Sequence, residues 1–207
     1  MIPRLKTLYE KDIIKNLMTK LNYKNKHQAA KYKFHQINQS KINFMAHSKW
    51  VYKRFSSHKE TKNLSLSYIK YSIDINKFKP KKRLTIRKKL KIPKNVFVIM
   101  TSAVGMLSNP FKDFSTLCNA YIKILNKQEQ FLLIVVGDKK TNFKSTLYSE
   151  KFLFVNPIPQ SNELVEYYSC ADLYIQSSNI ETWGLAISEA LSCGLPVIAS
   201  AVGAIPE

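Results

Sequence analysis

The stretch DLYIQSSNIETWGLAISEALSCGLPVIAS, residues 172–200, decides the fold class of this chain. It begins with a short apolar run at 172–177, continues with a helical pattern over 184–193 and closes with a second apolar run at 196–200. Gly194 follows the helical pattern directly, in a position that commonly ends a helix. Two short apolar runs joined by a helix predict two parallel strands with a crossover helix between them.

The same texture extends through the whole second half of the chain. Short apolar runs without alternation suit strands that are buried on both faces of a parallel sheet. Helical patterns separate these runs, so the sequence predicts an α/β fold with an open parallel sheet. The runs lie at 96–100, 131–136, 152–155, 172–177 and 196–200, and helices are predicted at 113–125, at 162–170 with Ser161 as N-cap, and at 184–193.

The first half of the chain differs in charge and in pattern. Residues 1–100 hold 26 Lys and Arg against 4 Asp and Glu, whereas residues 101–207 hold 7 against 10, and the whole chain has a net charge of +19. Only short and weak patterns occur in this basic half. They predict a helix near 8–22, a strand at 42–48, a helix over 49–57, a strand at 64–69 and a basic helix over 83–91.

Composition excludes several classes of protein. With 45% hydrophobic and 12% aromatic residues the chain is globular rather than disordered. Its three cysteines are too few and too scattered for a disulfide scaffold or a zinc cluster, and they indicate reduced thiols. The longest apolar run, 131–137, is too short to span a bilayer, and the first residues lack the apolar core of a signal peptide. We therefore expect a soluble cytoplasmic protein.

Candidate site residues follow from the predicted sheet, because ligands of open α/β sheets bind beyond the carboxyl ends of the strands. Glu181 lies in such a loop, Gly184 opens the next helix and Glu189 lies within that helix. A helix N-terminus suits a phosphate, whereas carboxylates suit sugar hydroxyls. Lys112, after the first strand of the sheet, can reach a diphosphate as a point charge. The alternative is that these charged residues are simply solvated surface residues.

The closing segment ETWGLAISEALSCGLPVIASAVGAIPE, residues 181–207, resembles the signature region of family 4 glycosyltransferases, which have the two-domain GT-B architecture. Glu181 and Glu189 match the family's two glutamates with seven residues between them. Less specific similarity extends back to HSKW at 47–50, and IDINKFKP at 73–80 is similar to the family's interdomain linker. Where the family usually has Lys-Gly, this chain has Lys112 followed by an aspartate.

The resemblance implies an enzyme that moves a sugar from a nucleotide-sugar donor to a glycan or lipid-linked acceptor, with retention at the anomeric carbon. It implies that Glu189 binds the ribose of the donor and that Glu181 faces the transferred sugar. Lys112 would neutralise the departing diphosphate, so the resemblance implies neither a metal nor a cofactor. The resemblance also implies that the backbone amides of Trp183, Gly184 and Leu185 bind the sugar and the diphosphate.

The family's pattern also suggests a domain division. Residues 1–65 would be a basic remnant of an acceptor-side domain, 66–95 a linker with a basic helix, and 96–207 a Rossmann-like nucleotide-sugar-binding domain that lacks its last strand and helix. We therefore expect a truncated or partial product of a glycosyltransferase gene, whose acceptor domain is either supplied by a separate chain or lost. None of the four histidines matches the family's catalytic histidine: His27, His35, His47 and His58.

The basic half leaves other functions open. This basic half can make peripheral contact with the inner face of an anionic membrane, which would suit a lipid-linked acceptor. Nucleic acid is a weaker alternative, because the sequence has no RNA-binding motif, zinc spacing or helix-turn-helix signature. A third hypothesis is a non-catalytic remnant. Independently of these functions, the joint abundance of Lys, Asn and Ile favours an AT-rich coding sequence as the source of many surface lysines.

Overall fold

The computed structural model describes residues 35, 37, 39, 42–127, 130–139, 149–159 and 162–207. The helix predicted near 8–22 and the N-cap predicted at Ser161 lie outside these residues. The chain divides into two compact units. The first ends at Lys70 and includes Glu207, and the second spans Tyr71–Pro206.

The first unit contains a short strand-helix-strand arrangement. Strands β1 (Phe44–Ala46) and β2 (Leu66–Tyr68) pair in parallel, and helix α1 (Lys49–Ser57) lies between them in the chain. Ser48 begins the helix, because its hydroxyl accepts a hydrogen bond from the Val51 amide at 3.1 Å. The strands and the helix predicted in this region are thus confirmed.

The second unit is an α/β fold with a five-stranded parallel sheet, as the sequence predicts. Among the described residues no helix has both the length and the apolar character that crossing a membrane requires. The elements of this second unit are α2 (Arg83–Lys89), β3 (Phe97–Ser102), α3 (Phe114–Leu125), β4 (Phe131–Val136), a 3₁₀ turn (Ser149–Lys151), β5 (Phe152–Val155), α4 (Asn162–Cys170), β6 (Leu173–Gln176), α5 (Leu185–Ser192) and β7 (Val197–Ala199).

The order of the strands determines where a ligand can enter. Across the sheet the order is β5-β4-β3-β6-β7, so the chain builds one half outward from β3 and then returns to build the other half from β6. Loops from the carboxyl ends of neighbouring strands diverge at such a reversal and leave a crevice between them. The crevice of this sheet therefore lies where β3 and β6 end.

Both faces of the sheet are covered by apolar side chains. Successive residues of a strand point to opposite faces, so Val98 and Met100 contribute to one cluster while Ile99 contributes to the other. Tyr168 of α4 packs in the first cluster, and Tyr121 of α3 packs in the second. Burial on two faces explains why the strands are apolar throughout rather than alternating.

A buried ion pair fastens α2 to the sheet. Arg87 is only 4% exposed, and its Nη2 lies 2.5 Å from Oδ2 of Asp172 while its Nε donates to the Cys170 carbonyl at 2.9 Å. The same Asp172 oxygen accepts the amide of Val98, the residue beside it on β3, at 2.8 Å. The charges are thus satisfied on several sides, as burial requires.

Candidate functional site

Two adjoining cavities form one groove at the carboxyl ends of β3 and β6. Their volumes are about 390 Å³ and about 200 Å³. They share a wall of five residues. The shared residues are Ser102, Ala103, Val104, Leu185 and Ala186.

The larger cavity contains an ion pair between Lys112 and Glu181. The ammonium of Lys112 contacts Oε2 of Glu181, and each side chain is 15% exposed. Gln176 donates to the same carboxylate oxygen through Nε2 at 2.7 Å. Lys112 reaches this position because its loop pairs with the loop after β6 through a bridge to Ser178. The structure thus brings together the cation and one of the two carboxylates that the sequence singled out.

The smaller cavity is built around Glu189 of α5. This residue is only 4% exposed, so the interpretation of Glu189 as a solvated surface charge is wrong. Tyr168 donates its hydroxyl proton to Oε2 of Glu189 at 2.8 Å. Burial raises the pKa of Tyr168 well above its ordinary value, which keeps the hydroxyl a donor at neutral pH. Gly137, Pro157 and Ile158 are among the residues that line the rest of this cavity.

A chain of hydrogen bonds links the two ends of the groove. From the hydroxyl of Tyr168 it passes to Ser102 Oγ at 3.2 Å and on to the hydroxyl of Tyr174 at 3.1 Å. Tyr174 donates to Oε1 of Gln176 at 3.1 Å, and Gln176 holds the carboxylate beside Lys112. Burial raises the pKa of Tyr174 as well, so both tyrosines stay protonated.

The residues of this chain of hydrogen bonds were not singled out from the sequence. Tyr174 and Gln176 are two positions apart on β6, so their side chains lie on the same face of the sheet. Both are buried, at 0% and 3% exposure. That spacing is the available signal, because a glutamine two positions from a tyrosine in an otherwise apolar strand needs a polar partner on the same face. Ser102, at the carboxyl end of β3, gives no comparable signal.

The helix that follows Glu181 begins at the groove. Gly184 adopts φ 90° and ψ 51°, a left-handed conformation that favours glycine, and α5 starts at the next residue. The backbone segment predicted to contact a ligand lies where the sequence indicated. Trp183 and Gly184 line the larger cavity, and Leu185 lines both.

Close backbone packing holds the loop after β3. A Cβ on Gly137 would lie 2.2 Å from the Ala103 carbonyl oxygen, so only glycine lets the loops after β3 and β4 approach this closely. Asp138, the next residue, accepts the Leu107 amide through Oδ2 at 2.8 Å. These contacts fix the wall of the groove that the two cavities share.

A second close approach holds the loop of Glu181. Ala204 donates its amide to the Glu181 carbonyl at 3.0 Å. A Cβ on Gly203 would lie 1.9 Å from that same carbonyl oxygen, and Gly203 has φ 59°. The segment after β7 therefore sets the position of Glu181 although it does not line either cavity.

Asp113, which stands where the family usually has glycine, caps α3. Its carboxylate accepts the Thr116 amide at 3.1 Å and the hydroxyls of Thr116 and Ser115 at 2.6 and 2.7 Å. The bonds from Thr116 and then Ser115 lower the pKa of Asp113. The negative charge of Asp113, beside Lys112, is thus hydrogen-bonded by the first turn of α3.

Thiol and metal chemistry find no support in the described part of the chain. Burial raises the pKa of Cys170 to about 12 and that of Cys193 to about 11, so neither is a ready nucleophile. Burial also raises the pKa of Cys118. Within the described ranges no group of three His, Cys, Asp or Glu side chains is arranged to hold a metal ion.

A parallel sheet whose strand order reverses beside a polar groove is the architecture of doubly wound α/β domains. The family model "Glycosyl transferases group 1" matches residues 82–207. The chain therefore belongs to the group 1 glycosyl transferases, and the matched part contains every residue of the groove except Tyr71.

Individual relatives agree with this assignment. D-inositol 3-phosphate glycosyltransferase 1 of Catenulispora acidiphila is 28% identical over 144 residues, which are 64% of this chain and 34% of that protein. The chain thus spans about a third of the length of this curated relative. Two solved structures share the fold.

Sucrose-phosphate synthase from Thermosynechococcus elongatus superposes with a TM-score of 0.61 at 23% identity, over 77% of this chain and 40% of that one. Anabaena HepE, solved in complex with UDP and glucose, superposes with a TM-score of 0.62 at 21% identity, over 78% of this chain and 45% of that one.

Proposed function

We propose that this chain carries the donor-binding part of a family 4 glycosyltransferase. Such an enzyme moves a sugar from a nucleoside diphosphate sugar to a hydroxyl of a glycan or lipid-linked acceptor, with retention at the anomeric carbon. The observation that carries the proposal is the order of groups along the groove: Glu189 at one end, Lys112 and Glu181 at the other. A hydrogen-bond acceptor for ribose lies at one end, and a cation for the diphosphate lies at the other end together with a hydrogen-bond acceptor for sugar hydroxyls.

The nucleoside end is the smaller cavity. A carboxylate only accepts hydrogen bonds, and ribose hydroxyls can donate two of them to one carboxylate. Because Glu189 is buried, bonds to it are stronger than they would be in water. Pro157 and Ile158 provide apolar surface beside it for the base.

The diphosphate end combines a cation with a helix N-terminus. In the transfer, the bond between the anomeric carbon and the diphosphate oxygen breaks and its electron pair leaves with the diphosphate. The acceptor oxygen bonds to the carbon and gives up its proton, which the departing diphosphate oxygen can take. Lys112 and the first amides of α5 would stabilise the negative charge on the leaving diphosphate.

The acceptor site is assigned to none of the described residues. In a two-domain enzyme the reacting atoms meet only when both domains close on the cleft, and this orientation supplies much of the rate. We propose that another region of polypeptide, or a separate chain, supplies the acceptor domain and its histidine, and that the enzyme acts in the cytoplasm.

Calorimetry of the full chain with UDP, GDP and ADP tests the donor site. We expect at least one of the three to bind, and Glu189→Gln and Lys112→Met each to weaken it by about tenfold or more, since a bond to a charged group contributes about 1.5–3 kcal/mol. The matched controls are Glu163→Gln and Lys123→Met, which change exposed residues outside the groove. If Glu189→Gln binds as tightly as the wild type, the ribose role is wrong.

A second candidate, peripheral membrane contact, is favoured by helix α1. The guanidinium of Arg54 lies 5.1 Å from the ring centroid of Trp50, and Tyr52 is 38% exposed beside Lys53. Aromatic rings and cations on one short helix are typical of segments at an anionic membrane surface. We expect salt-sensitive binding to phosphatidylglycerol vesicles that is lost in a Lys53→Glu, Arg54→Glu variant. Equal binding to neutral phosphatidylcholine vesicles would contradict this role.

A further inference from the structure

The indole nitrogen of Trp183 is a buried donor without a partner. Its Nε1 is covered from water, and no described residue accepts its hydrogen bond. A buried polar group left in this state costs about 1–3 kcal/mol, so native structures satisfy nearly all of them. The neighbouring polar groups of the larger cavity are bonded to one another, as Gln176, Glu181 and Lys112 show.

Trp183 lies in the wall of the larger cavity. It is two residues from Glu181 and directly precedes Gly184, and all three line the same space of about 390 Å³. On its other side the ring meets Tyr71 edge to face, with centroids 6.3 Å apart and an interplanar angle of 62°. The indole is therefore held beside the groove and not in the main core clusters of the sheet.

Donor and acceptor types identify the ligand group. The indole N–H can only donate, and the Glu181 carboxylate can only accept. A phosphate also only accepts, so it can satisfy Trp183 but cannot satisfy Glu181. Sugar hydroxyls both donate and accept, so a sugar with hydroxyls on neighbouring carbons can satisfy Trp183 and Glu181 together.

We propose that the indole N–H of Trp183 donates to an oxygen of the transferred sugar and so contributes to the choice of sugar. This inference rests on the proposed function, which it extends by one specificity-determining residue. Nε1 is covered in this structure. To reach the sugar, the indole would have to change its side-chain conformation as the sugar enters. The diphosphate and the nucleoside do not need this movement.

Paired calorimetry separates the sugar from the rest of the donor. UDP, GDP and ADP are compared with UDP-glucose, GDP-mannose and ADP-glucose on the full chain. Trp183→Phe keeps the aromatic ring and removes the N–H, and we expect it to weaken the sugar nucleotide about fivefold while leaving the parent diphosphate unchanged, the effect of one hydrogen bond. Trp50→Phe, which lies outside the groove, should change neither.

Fluorescence gives a second measurement that leaves Trp183 in place. The chain has two tryptophans, so Trp50→Phe makes Trp183 the sole emitter. We expect the sugar nucleotide to shift its emission and the parent diphosphate to leave it unchanged.

Four outcomes decide the inference. An equal loss of affinity for both ligands in Trp183→Phe, or unchanged affinity for both together with unchanged emission, overturns it while the proposed function stands. Absence of binding by every diphosphate and every sugar nucleotide overturns the proposed function and this inference with it. A loss confined to the sugar nucleotide supports both.

Discussion

Lys112 and Glu181 form an ion pair across the loops that follow β3 and β6, although they are 69 positions apart in the chain. The pair occupies the cavity where the diphosphate of a nucleotide sugar would lie under our proposal. Glu181 thereby holds the cation that a diphosphate needs. Binding of a donor must replace this carboxylate by phosphate oxygens, and the carboxylate then becomes available to sugar hydroxyls.

Glu181→Gln is expected to strengthen the binding of a nucleoside diphosphate. The substitution keeps the shape of the side chain and releases Lys112 from an anionic competitor, a gain of about 1 kcal/mol or roughly fivefold in affinity for a partly exposed pair. The gain should shrink at high salt, because screening weakens the interaction that was removed. Calorimetry measures it, with Glu163→Gln as the control. Weaker binding by the variant would show that Glu181 assists diphosphate binding instead.

Tyr168→Phe is expected to weaken nucleotide binding without removing any proposed ligand group. Loss of the hydroxyl leaves Glu189 without the donor that orients its carboxylate, and a bond to a charged group contributes about 1.5–3 kcal/mol. The matched control is Tyr121→Phe, which removes a bond to the Lys151 carbonyl on the other face of the sheet. Both variants should lose stability in urea, but only the first should lose affinity.

Gly203→Ala is expected to displace the loop of Glu181. The new methyl group would meet the Glu181 carbonyl, and a residue with a side chain is strained at φ 59°, together a cost of about 1–3 kcal/mol. Gly105→Ala is the control, since φ is 64° there and the nearest atom outside its chain neighbours is a serine hydroxyl oxygen at 3.4 Å. If both variants keep the same preference for sugar nucleotide over diphosphate, Gly203 does not position the site.

Asp113→Asn is expected to show a pH-dependent loss of stability. Hydrogen bonds from Thr116 and Ser115 lower the pKa of Asp113 below its ordinary value of 3.8. The charged cap therefore contributes stability above that value, and the contribution is lost as the pH falls through the lower pKa of the folded protein. At pH 7 the variant should be less stable by about 0.5–1 kcal/mol. Urea unfolding should show this gap closing as the pH falls below 3.8, and a gap independent of pH would contradict the assignment.

The fold could be predicted because buried parallel strands leave a direct mark on the sequence. The apolar run at 131–136 coincides with β4, and helices α3 and α4 begin within a residue of their predicted starts. The location of Glu181 in the loop after a strand and of Glu189 within the next helix could also be predicted, since both follow from the local pattern of strand and helix. Local pattern suffices for such features.

The partners of those residues could not be predicted. Ser102 and Tyr174 are 72 positions apart, and they meet because β6 returns beside β3. A tyrosine in an apolar strand has the same local appearance whether its hydroxyl reaches solvent or another strand. The ion pair of Lys112 with Glu181 depends on the same strand order, so the sequence indicated each charge but not their contact.

The chain of hydrogen bonds through Ser102 has a consequence for the free energy of ligand binding in the groove. When Tyr168 donates to Glu189 and Tyr174 donates to Gln176, the single proton of Ser102 can serve only one of the two tyrosine hydroxyls at a time. We therefore expect the two ends of the groove to be thermodynamically coupled, so that a ligand group at one end changes the free energy of binding at the other. A double-mutant cycle between Tyr168→Phe and Glu181→Gln should reveal a coupling energy of about 0.5 kcal/mol or more in sugar-nucleotide binding, and strict additivity would show that the two ends are independent.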